Sequence, residues 1–254
     1  MRIAVCVKQI PDPAAPYELD PDTHFVVRPN DQVLDDTDRY GVEVGLQLAD
    51  AAGDDATVTL VSMSPSGSLQ GIRQALAMGA HKAVIIDDET LRGADALTTA
   101  RVLAAAIGRE GADVVVAGTE STDGYSGVVP QQIAELLDMP ALTFARSVEA
   151  TDGTIRIERQ TPTGYDVVEA PLPVVISVTS GVVEPRYPTF KGIMEAKRKT
   201  IDTLTCGDLG VSVDVEQAIT SVEPVPARSG GEIVEDDGEG HLRILELLER
   251  TKVV

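Results

Sequence analysis

The sequence predicts an α/β fold in which a parallel sheet is covered by helices on both faces. Short segments that are apolar throughout alternate with longer segments whose apolar residues recur at helical spacing. Strands without an exposed face belong to sheets that are buried on both sides, and such sheets are built from strand–helix–strand units. With 254 residues, 43% of them hydrophobic, the chain can also bury a substantial core.

The first two-thirds of the chain contains these units in order. The predicted strands cover residues 3–7, 56–61, 83–86 and 114–117, and a further buried strand covers residues 174–178. The predicted helices cover residues 36–52, 66–78, 94–107 and 126–137, and a glycine follows each of the first three. Residues 9–30, between the first strand and the first helix, contain too many prolines and aspartates for either regular element.

The last third of the chain has a different pattern. Asp152-Gly153 separates two segments of alternating polar and apolar residues, which predicts a β-hairpin added to the sheet. Farther on, prolines, glycines and acids are scattered without an amphipathic pattern until a short predicted helix at 242–248. We therefore divide the chain into an α/β domain, residues 1–205, and an extended C-terminal arm, residues 206–254, that needs another surface to lie on.

The charge balance excludes several classes of partner. Acidic residues number 41 and basic residues 21, which gives a net charge of −20 and a pI near 4.4. Such a surface repels nucleic-acid backbones and anionic lipids. No apolar run approaches the roughly 20 residues that a bilayer requires, and the first residues lack the pattern of a signal peptide. We predict a cytoplasmic protein without direct membrane insertion, whose acidity is typical of either a salt-rich cytoplasm or a GC-rich genome.

A glycine-rich loop follows the fourth predicted strand. Residues 118–127 contain three glycines, two serines and two threonines, and they lead directly into a helix. Close backbone approach, hydroxyl donors and free amides at a helix N-terminus can bind an anion without a charged side chain. The alternative is an ordinary strand–helix loop whose glycines only satisfy turn geometry. No Walker motif is present, and no Gly-x-Gly-x-x-Gly follows the first strand, so a nucleotide held here would be structural or regulatory rather than hydrolysed.

The sequence contains no catalytic constellation. His24, His81 and His241 are scattered, with no second histidine or cysteine at the spacing of metal ligands. Two cysteines form neither a disulfide framework nor a cysteine-based zinc site. Cys6, at the end of the first strand, could face a nucleotide but is interpreted as a small buried residue. We therefore predict that the protein is not an enzyme.

Residues 184–199 form the most distinctive segment. They predict a proline-bracketed turn that exposes two aromatic side chains, followed by a short basic helix that includes Lys199. A positive segment on a chain of charge −20 is a docking edge for an acidic partner, with an aromatic anchor beside it. The candidate docking residues are Tyr187, Phe190, Lys191, Ile193, Met194, Lys197 and Arg198.

The same segment closely resembles the signature of the electron-transfer flavoprotein beta subunit. The resemblance extends to residues 8–12, 72–80, 118–127 and 206–210, so it covers essentially the whole chain at matching spacing. It implies an adenine nucleotide alpha hydrolase-like α/β domain whose C-terminal arm wraps an alpha subunit. It also implies an electron carrier: the alpha subunit holds most of the redox FAD, and the beta subunit buries an AMP. Such a heterodimer carries electrons from acyl-CoA and other dehydrogenases of fatty acid beta-oxidation to a membrane quinone oxidoreductase.

The resemblance also implies which positions contact the AMP. They are Cys6, Asp35, Asp36, Thr37, Asp38 and Met63, together with the loop residues Gly118, Thr119, Glu120, Ser121, Thr122, Asp123, Gly124, Tyr125, Ser126, Gly127, Val128 and Val129. Adjacent carboxylates suit a phosphate poorly, so the residues at 35–38 are expected to meet adenine or ribose.

The chain departs from the family pattern at three places. It has Asp35-Asp36-Thr37 where many relatives have Asn-Pro-Phe, and Phe190 where the family has the leucine of its recognition loop. Mitochondrial members place an aromatic residue near the flavin at a position that holds Pro13 here, with a tyrosine at residue 17 instead.

Two other functions remain open at this point. One is a bifurcating flavoprotein, whose beta subunit holds a second FAD in place of AMP and oxidises NADH, because the Asp123-Gly124 pair resembles loops of that branch too. The other is a stand-alone nucleotide-hydrolysing α/β enzyme, which predicts a charged phosphate clamp. The glycine-rich loop contains no lysine, which argues against this second alternative.

Overall fold

The structure is a computed structural model that describes residues 1–64, 69–223, 225–226, 231, 233–236 and 238–253. The chain divides into two compact units, Met1–Ile219 and Thr220–Val254, so the first unit extends beyond the domain boundary expected at residue 205. The reason is that the residues after that boundary pack on the α/β domain. Cys206 is buried in one of its hydrophobic clusters, and Thr98 Oγ1 donates a hydrogen bond to the carbonyl oxygen of Asp214 at 3.0 Å.

A nine-stranded sheet forms the centre of the first unit. The strands of the described residues are β1 (Arg2–Cys6), β2 (Gln9–Ile10), β3 (Val33–Leu34), β4 (Thr57–Met63), β5 (Lys82–Ile86), β6 (Val114–Gly118), β7 (Ala141–Thr151), β8 (Thr154–Thr161), β9 (Gly164–Pro171), β10 (Val174–Val178) and β11 (Ile201–Leu204). Their order in the large sheet is β11-β5-β4-β1-β6-β10-β7-β8-β9, and β2 pairs only with β3. The pairs from β11 to β7 are parallel, whereas β7–β8 and β8–β9 are antiparallel.

The expectation of a mixed α/β fold with a largely parallel central sheet is confirmed. The five predicted strands correspond to β1, β4, β5, β6 and β10, and Asp152 and Gly153 connect β7 to β8. The prediction of no regular element at 9–30 is wrong at its start, because Gln9–Ile10 forms β2. This two-residue strand pairs with β3, which lies 23 positions farther along the chain and leaves no local sequence pattern.

The helices of the described residues are α1 (Asp36–Ala52), α2 (Gln70–Met78), α3 (Ala96–Glu110), α4 (Val129–Leu136), α5 (Phe190–Ala196), α6 (Cys206–Leu209) and α7 (Gly240–Arg250), with a 3₁₀ turn at Glu89–Leu91. The first helix has the predicted bounds. The predicted start of the second, Ser66, lies outside the described residues. The fourth begins three residues later than predicted, because Tyr125 and Gly127 have positive φ angles of 47° and 65° that a helix cannot contain.

The sheet has a hydrophobic cluster on each face. Ile3 and Val5 point to the face that α1 and α2 cover, whereas Ala4, between them, points to the face that α3 and α4 cover. Both faces are buried, so β1 is apolar after the exposed Arg2 at its start. Among the described residues, no helix has the length and apolar content needed to cross a membrane.

The carboxyl ends of β1, β4 and β6 lie side by side at one edge of the sheet. They are neighbours because β1 pairs with both of the others in parallel. The loops that follow parallel strands converge at this edge, which is where open α/β sheets bind ligands. The fold therefore brings together the residues after Cys6, Met63 and Gly118.

Candidate functional site

The loop after β6 is attached to the N-terminus of α1 through one buried carboxylate. Asp35 is the N-cap of α1 and accepts hydrogen bonds from the amide and the hydroxyl of Thr37, at 3.1 and 2.9 Å. It also accepts from the amide and the hydroxyl of Thr122 in the loop, at 2.7 and 2.6 Å. Four donors satisfy this fully buried carboxylate, which therefore holds two segments 87 positions apart.

A second buried carboxyl group, that of Asp38, lies where β1 ends. Its Oδ2 atom accepts a hydrogen bond from the amide of Lys8 at 2.6 Å. Burial and then the neighbouring charge of Asp35 raise the pKa of Asp38 well above its usual range. A side-chain carbon on Gly118 would lie 3.2 Å from Asp38 Oδ1 and 3.3 Å from Thr37 Oγ1, so glycine allows the loop to pass this close.

A third buried carboxylate, Asp123, pairs with two cations. The Nζ atom of Lys8 lies 2.6 Å from Asp123 Oδ1 and 3.3 Å from the hydroxyl of Ser121, and the guanidinium of Arg28 contacts Asp123 Oδ2. The Asp123 side chain is 1% exposed. Burial acts to raise its pKa, but the charge of Lys8 and then that of Arg28 outweigh burial, so the pKa is lowered.

Two basic side chains thus lie beside the loop that is expected to bind an anion without a charged side chain. Lys8 and Arg28 come from elsewhere in the chain, 115 and 95 positions before Asp123, so the loop's own composition does not reveal them. Lys8 follows the first strand directly, and a basic residue at that end of a parallel strand is a signal that could have found it. Both cations are engaged by Asp123 rather than directed at open space.

The segment between β2 and β3 also reaches the loop. Arg28 donates to the carbonyl oxygen of Gln9 and to Gln32 Oε1, both at 3.2 Å, in addition to its pair with Asp123. Tyr17 lies nearby: burial and then the charge of Asp123 raise the pKa of its hydroxyl. Tyr17 thus lies close to the glycine-rich loop.

The far end of the loop leads into an uncapped helix. Within the described residues, no side chain caps α4, whose N-cap is Val128. Gln131 and Gln132, in its first turn, each bury an amide oxygen without a hydrogen-bond partner. Pro130 has no N–H and the amide of Gln132 donates to the carbonyl oxygen of Val128 at 3.1 Å, so the amides of Val129 and Gln131 are the free donors of this turn, beside the two unpaired acceptors.

Other loop residues have internal roles. The amide and the hydroxyl of Thr119 donate to the carbonyl oxygen of Val178, at 3.1 and 3.0 Å. The amides of Gly124 and Tyr125 donate to the carbonyl oxygen of Ser121, at 3.2 and 2.9 Å, which closes a tight turn. Of the remaining members, Glu120 precedes this turn, Val129 begins α4, and the others lie between the turn and the helix: Ser126, Gly127 and Val128.

Cys6 and Met63 lie at the same edge, at the ends of β1 and β4. Both pack against the hydrophobic cluster beneath α3 and α4. Burial, and then the charge of Asp38, raises the pKa of the Cys6 thiol to about 12. The thiol is therefore neutral, in agreement with its interpretation as a small packing residue. Asp36 differs from its neighbours, because its carboxylate is 73% exposed and pairs with Arg39 at 3.2 Å.

The predicted docking residues form a separate surface. Tyr187 and Phe190 are 85% and 92% exposed, and α5 begins at Phe190 with Thr189 as its N-cap. Lys191, Ile193, Met194, Lys197 and Arg198 are exposed as well. The structure therefore leaves two aromatic side chains and a basic group uncovered on one short segment.

The docking segment is anchored to α2 rather than loosely attached. A side-chain carbon on Gly192 would lie 2.5 Å from the carbonyl oxygen of Ala77, so α5 and α2 meet backbone to backbone. The sequence predicts Lys197, Arg198 and Lys199 on the basic helix, which is wrong, because α5 ends at Ala196. Instead, Lys199 Nζ donates to the carbonyl oxygens of Leu76 and Ala80, at 3.0 and 2.7 Å, and completes the end of α2.

Comparison with known proteins identifies close relatives. The family model described as electron transfer flavoprotein domain matches residues 23–209. The electron transfer flavoprotein subunit beta of Mycobacterium tuberculosis H37Rv is 40% identical over 264 residues, covering 100% of this chain and 99% of the relative. That of Megasphaera elsdenii is 36% identical and covers 100% of both chains. The caffeyl-CoA reductase-Etf complex subunit CarD of Acetobacterium woodii is 32% identical, covering 92% of each.

The raised pKa of Asp38 leads to a prediction about stability. Between the ordinary value of 3.8 and the raised value, the folded protein holds a proton that the unfolded chain releases. The free energy of unfolding therefore falls as the pH rises through this range, by about 1.4 kcal/mol for each pH unit. Asp38→Asn cannot ionise and still accepts from Lys8, so we expect it to be more stable than the wild type at high pH.

The measurement is the free energy of unfolding by urea at pH values from 4 to 9. Asp36→Asn is the matched control, because its carboxylate is largely exposed, and it should follow the wild-type pH dependence. Identical pH profiles for Asp38→Asn and the wild type would show that Asp38 ionises normally in the folded protein.

Proposed function

This chain belongs to the electron transfer flavoprotein family, and we propose that it is a beta subunit whose glycine-rich loop binds one AMP as a structural ligand. The named relatives are beta subunits of an electron carrier rather than catalysts, and a beta subunit implies an alpha subunit as partner. The stand-alone hydrolase is therefore set aside. The observation that carries the proposal is the uncapped start of α4 at the end of the loop, at the carboxyl edge of the sheet.

The phosphate of AMP would accept hydrogen bonds from the main-chain amides of this region. Free amides at the first turn of a helix favour an anion through hydrogen bonding and through the helix dipole. Asp35 already receives the donors of Thr37 and Thr122, and Asp123 already receives Lys8 and Arg28. The carboxylates therefore already have hydrogen-bond or ion-pair partners before a ligand arrives, and the unpaired donors are those of the loop and of α4.

The ribose and adenine of the nucleoside would donate hydrogen bonds to the unpaired acceptors of this region. The buried amide oxygens of Gln131 and Gln132 lack partners and suit hydroxyl or amino groups such as those of ribose and adenine. Cys6, as a neutral thiol, and Met63 offer a polarisable apolar surface to a flat ring. The residues present thus fit an adenylate.

The partners follow from the exposed surfaces. In the second unit, α7 leaves Leu242, Ile244, Leu245 and Leu247 between 47% and 61% exposed. We assign this unit to the alpha subunit, which would hold most of the FAD. Tyr187 and Phe190 would dock acyl-CoA or other dehydrogenases, and a membrane quinone oxidoreductase would accept the electrons. We propose that this heterodimer acts in the cytoplasm and in fatty acid beta-oxidation.

A second candidate is FAD in place of AMP, with NADH as the electron source. The similarity to CarD, whose name places it in a caffeyl-CoA reductase-Etf complex, favours this alternative. The same amides could serve a pyrophosphate, but the buried carboxylates of Asp35 and Asp123 disfavour the additional charge.

The ligand content of the purified heterodimer separates the two candidates. We expect heat denaturation to release one FAD and one AMP per heterodimer, because one flavin belongs to the alpha subunit and this chain holds the adenylate. The measurement is flavin absorbance together with chromatography of the released nucleotides. Two flavins without AMP would establish the second candidate instead.

The exposed aromatic anchor gives a second prediction. Phe190→Ala removes a side chain that is 92% exposed, so the subunit should fold and keep its nucleotide. We expect electron transfer from an acyl-CoA dehydrogenase to slow by about tenfold, the effect of losing roughly 1.4 kcal/mol of docking energy. The readout is flavin reduction in rapid mixing.

Tyr165→Ala is the control for this experiment. Tyr165 is also an exposed aromatic residue, at 49%, but it lies on β9, outside the docking segment. Equal transfer rates for Phe190→Ala, Tyr165→Ala and the wild type would show that Phe190 is not a docking anchor.

The second unit gives a third prediction. A chain ending at Ile219 keeps the first compact unit but loses the exposed apolar face of α7. We expect this chain to fail to co-elute with the alpha subunit in gel filtration, because burial of that face would stabilise the heterodimer. A chain ending at Arg250, which keeps α7, is the control and should assemble normally; an intact heterodimer with the shorter chain would contradict the assignment.

A further inference from the structure

Two cations lie beside the glycine-rich loop, and neither is available to a ligand. Lys8 and Arg28 both form ion pairs with Asp123, whose side chain is 1% exposed. Arg28 is held further by hydrogen bonds to Gln9 and Gln32 at 3.2 Å, so its guanidinium is fixed. This arrangement brings two positive charges to the loop and engages both with one carboxylate.

The carboxylates around the loop are balanced by these cations and by neighbouring donors. Asp35 is satisfied by four hydrogen bonds from Thr37 and Thr122, and Asp123 by its two ion pairs. Burial and the charge of Asp35 favour the protonated form of Asp38. The two cations lie among three buried carboxyl groups, those of Asp35, Asp38 and Asp123, so no positive charge is in excess.

We propose that Asp123 is a specificity-determining residue: by pairing with Lys8 and Arg28, it makes the site bind a nucleoside monophosphate in preference to a di- or triphosphate. This inference rests on the proposed function, since it concerns the same loop. Main-chain amides and one helix N-terminus can accommodate a single phosphate. Each further phosphate adds negative charge near the carboxylates of Asp35 and Asp123, while Lys8 and Arg28 are already paired with Asp123.

The cations would otherwise resemble a polyphosphate clamp. Sites for nucleoside triphosphates use a lysine and a metal ion to offset the additional charge. Here Lys8 has the required position after the first strand, but its ammonium lies 2.6 Å from Asp123. In the part of the chain that the structure describes, no group of three His, Cys, Asp or Glu side chains could hold a metal ion.

The test is a series of variants that changes the charge of the site in both directions. Asp123→Asn removes the carboxylate charge but keeps an acceptor of the same shape. Arg28→Gln removes one cation, and Arg28→Lys keeps it. Each is prepared as the heterodimer with the alpha subunit, stripped of nucleotide and titrated with adenosine, AMP and ADP by calorimetry.

The quantity compared is the Kd of ADP divided by the Kd of AMP. We expect this ratio to exceed one in the wild type, to fall by about tenfold in Asp123→Asn and to rise by about tenfold in Arg28→Gln. Tenfold corresponds to one unit charge acting over several ångströms at intermediate dielectric. Arg28→Lys should keep the wild-type ratio. If Asp123→Asn does not fold, Arg28→Gln still tests whether the ratio of the two Kd values rises.

The matched controls change charge far from the site. Lys82 and Glu110 form an ion pair at 2.5 Å where β5 begins and α3 ends, at the opposite edge of the sheet. Lys82→Gln and Glu110→Gln have the same charge changes as Arg28→Gln and Asp123→Asn, and they should leave the ratio unchanged.

The outcomes separate this inference from the proposed function. A ratio that does not follow the charge series, or a loss of affinity that is equal for adenosine, AMP and ADP, would mean that Asp123 only shapes the loop and would overturn the inference alone. A wild-type heterodimer that binds FAD and none of the three adenine ligands would overturn the proposed function, and this inference with it.

Discussion

The hydrogen bonds of Asp35 are the interaction on which the site depends. This carboxylate begins α1 and also receives the amide and hydroxyl of Thr122, so one buried group sets the position of the helix and of the glycine-rich loop. A buried carboxylate is costly unless every lone pair is engaged, and here four donors engage it. Removing either partner would leave an unsatisfied charge, so the helix and the loop form a single structural unit.

The parts of the fold that the sequence predicts are those with local causes. The buried strands follow from their continuous apolar runs, and α1 has the predicted bounds because Asp35 caps its start and Gly53, at a φ of 93°, ends it. The start of α4 was predicted too early because composition does not show that Tyr125 and Gly127 adopt positive φ angles. The first unit extends past residue 205 because residues such as Cys206 pack on the α/β domain, a long-range contact that composition does not show.

In the candidate site, too, the sequence predicts the features that have local causes. Glycine and hydroxyl residues after the fourth strand indicate an anion site, and exposed Tyr187 and Phe190 follow from their proline-bracketed turn. The pairing of Asp123 with Lys8 and Arg28 has no local signature, because it joins residues about 100 positions apart. Charge counts along the chain treat all three as surface residues, whereas the fold buries Asp123 and pairs it with both cations.

The nucleotide edge and the docking segment share one helix. Asp35 caps the start of α1, and two turns farther on the buried Glu43 binds Arg186 at 2.8 Å, at the base of the docking segment. Burial acts to raise the pKa of Glu43, but the hydrogen bonds from Arg186 outweigh it and lower the pKa, so the pair stays ionised at neutral pH. A helix rises about 1.5 Å per residue, so about 12 Å of rigid backbone joins the two contacts. A change in the glycine-rich loop that moved the start of α1 would therefore also move the base of the docking segment, because one rigid helix holds both.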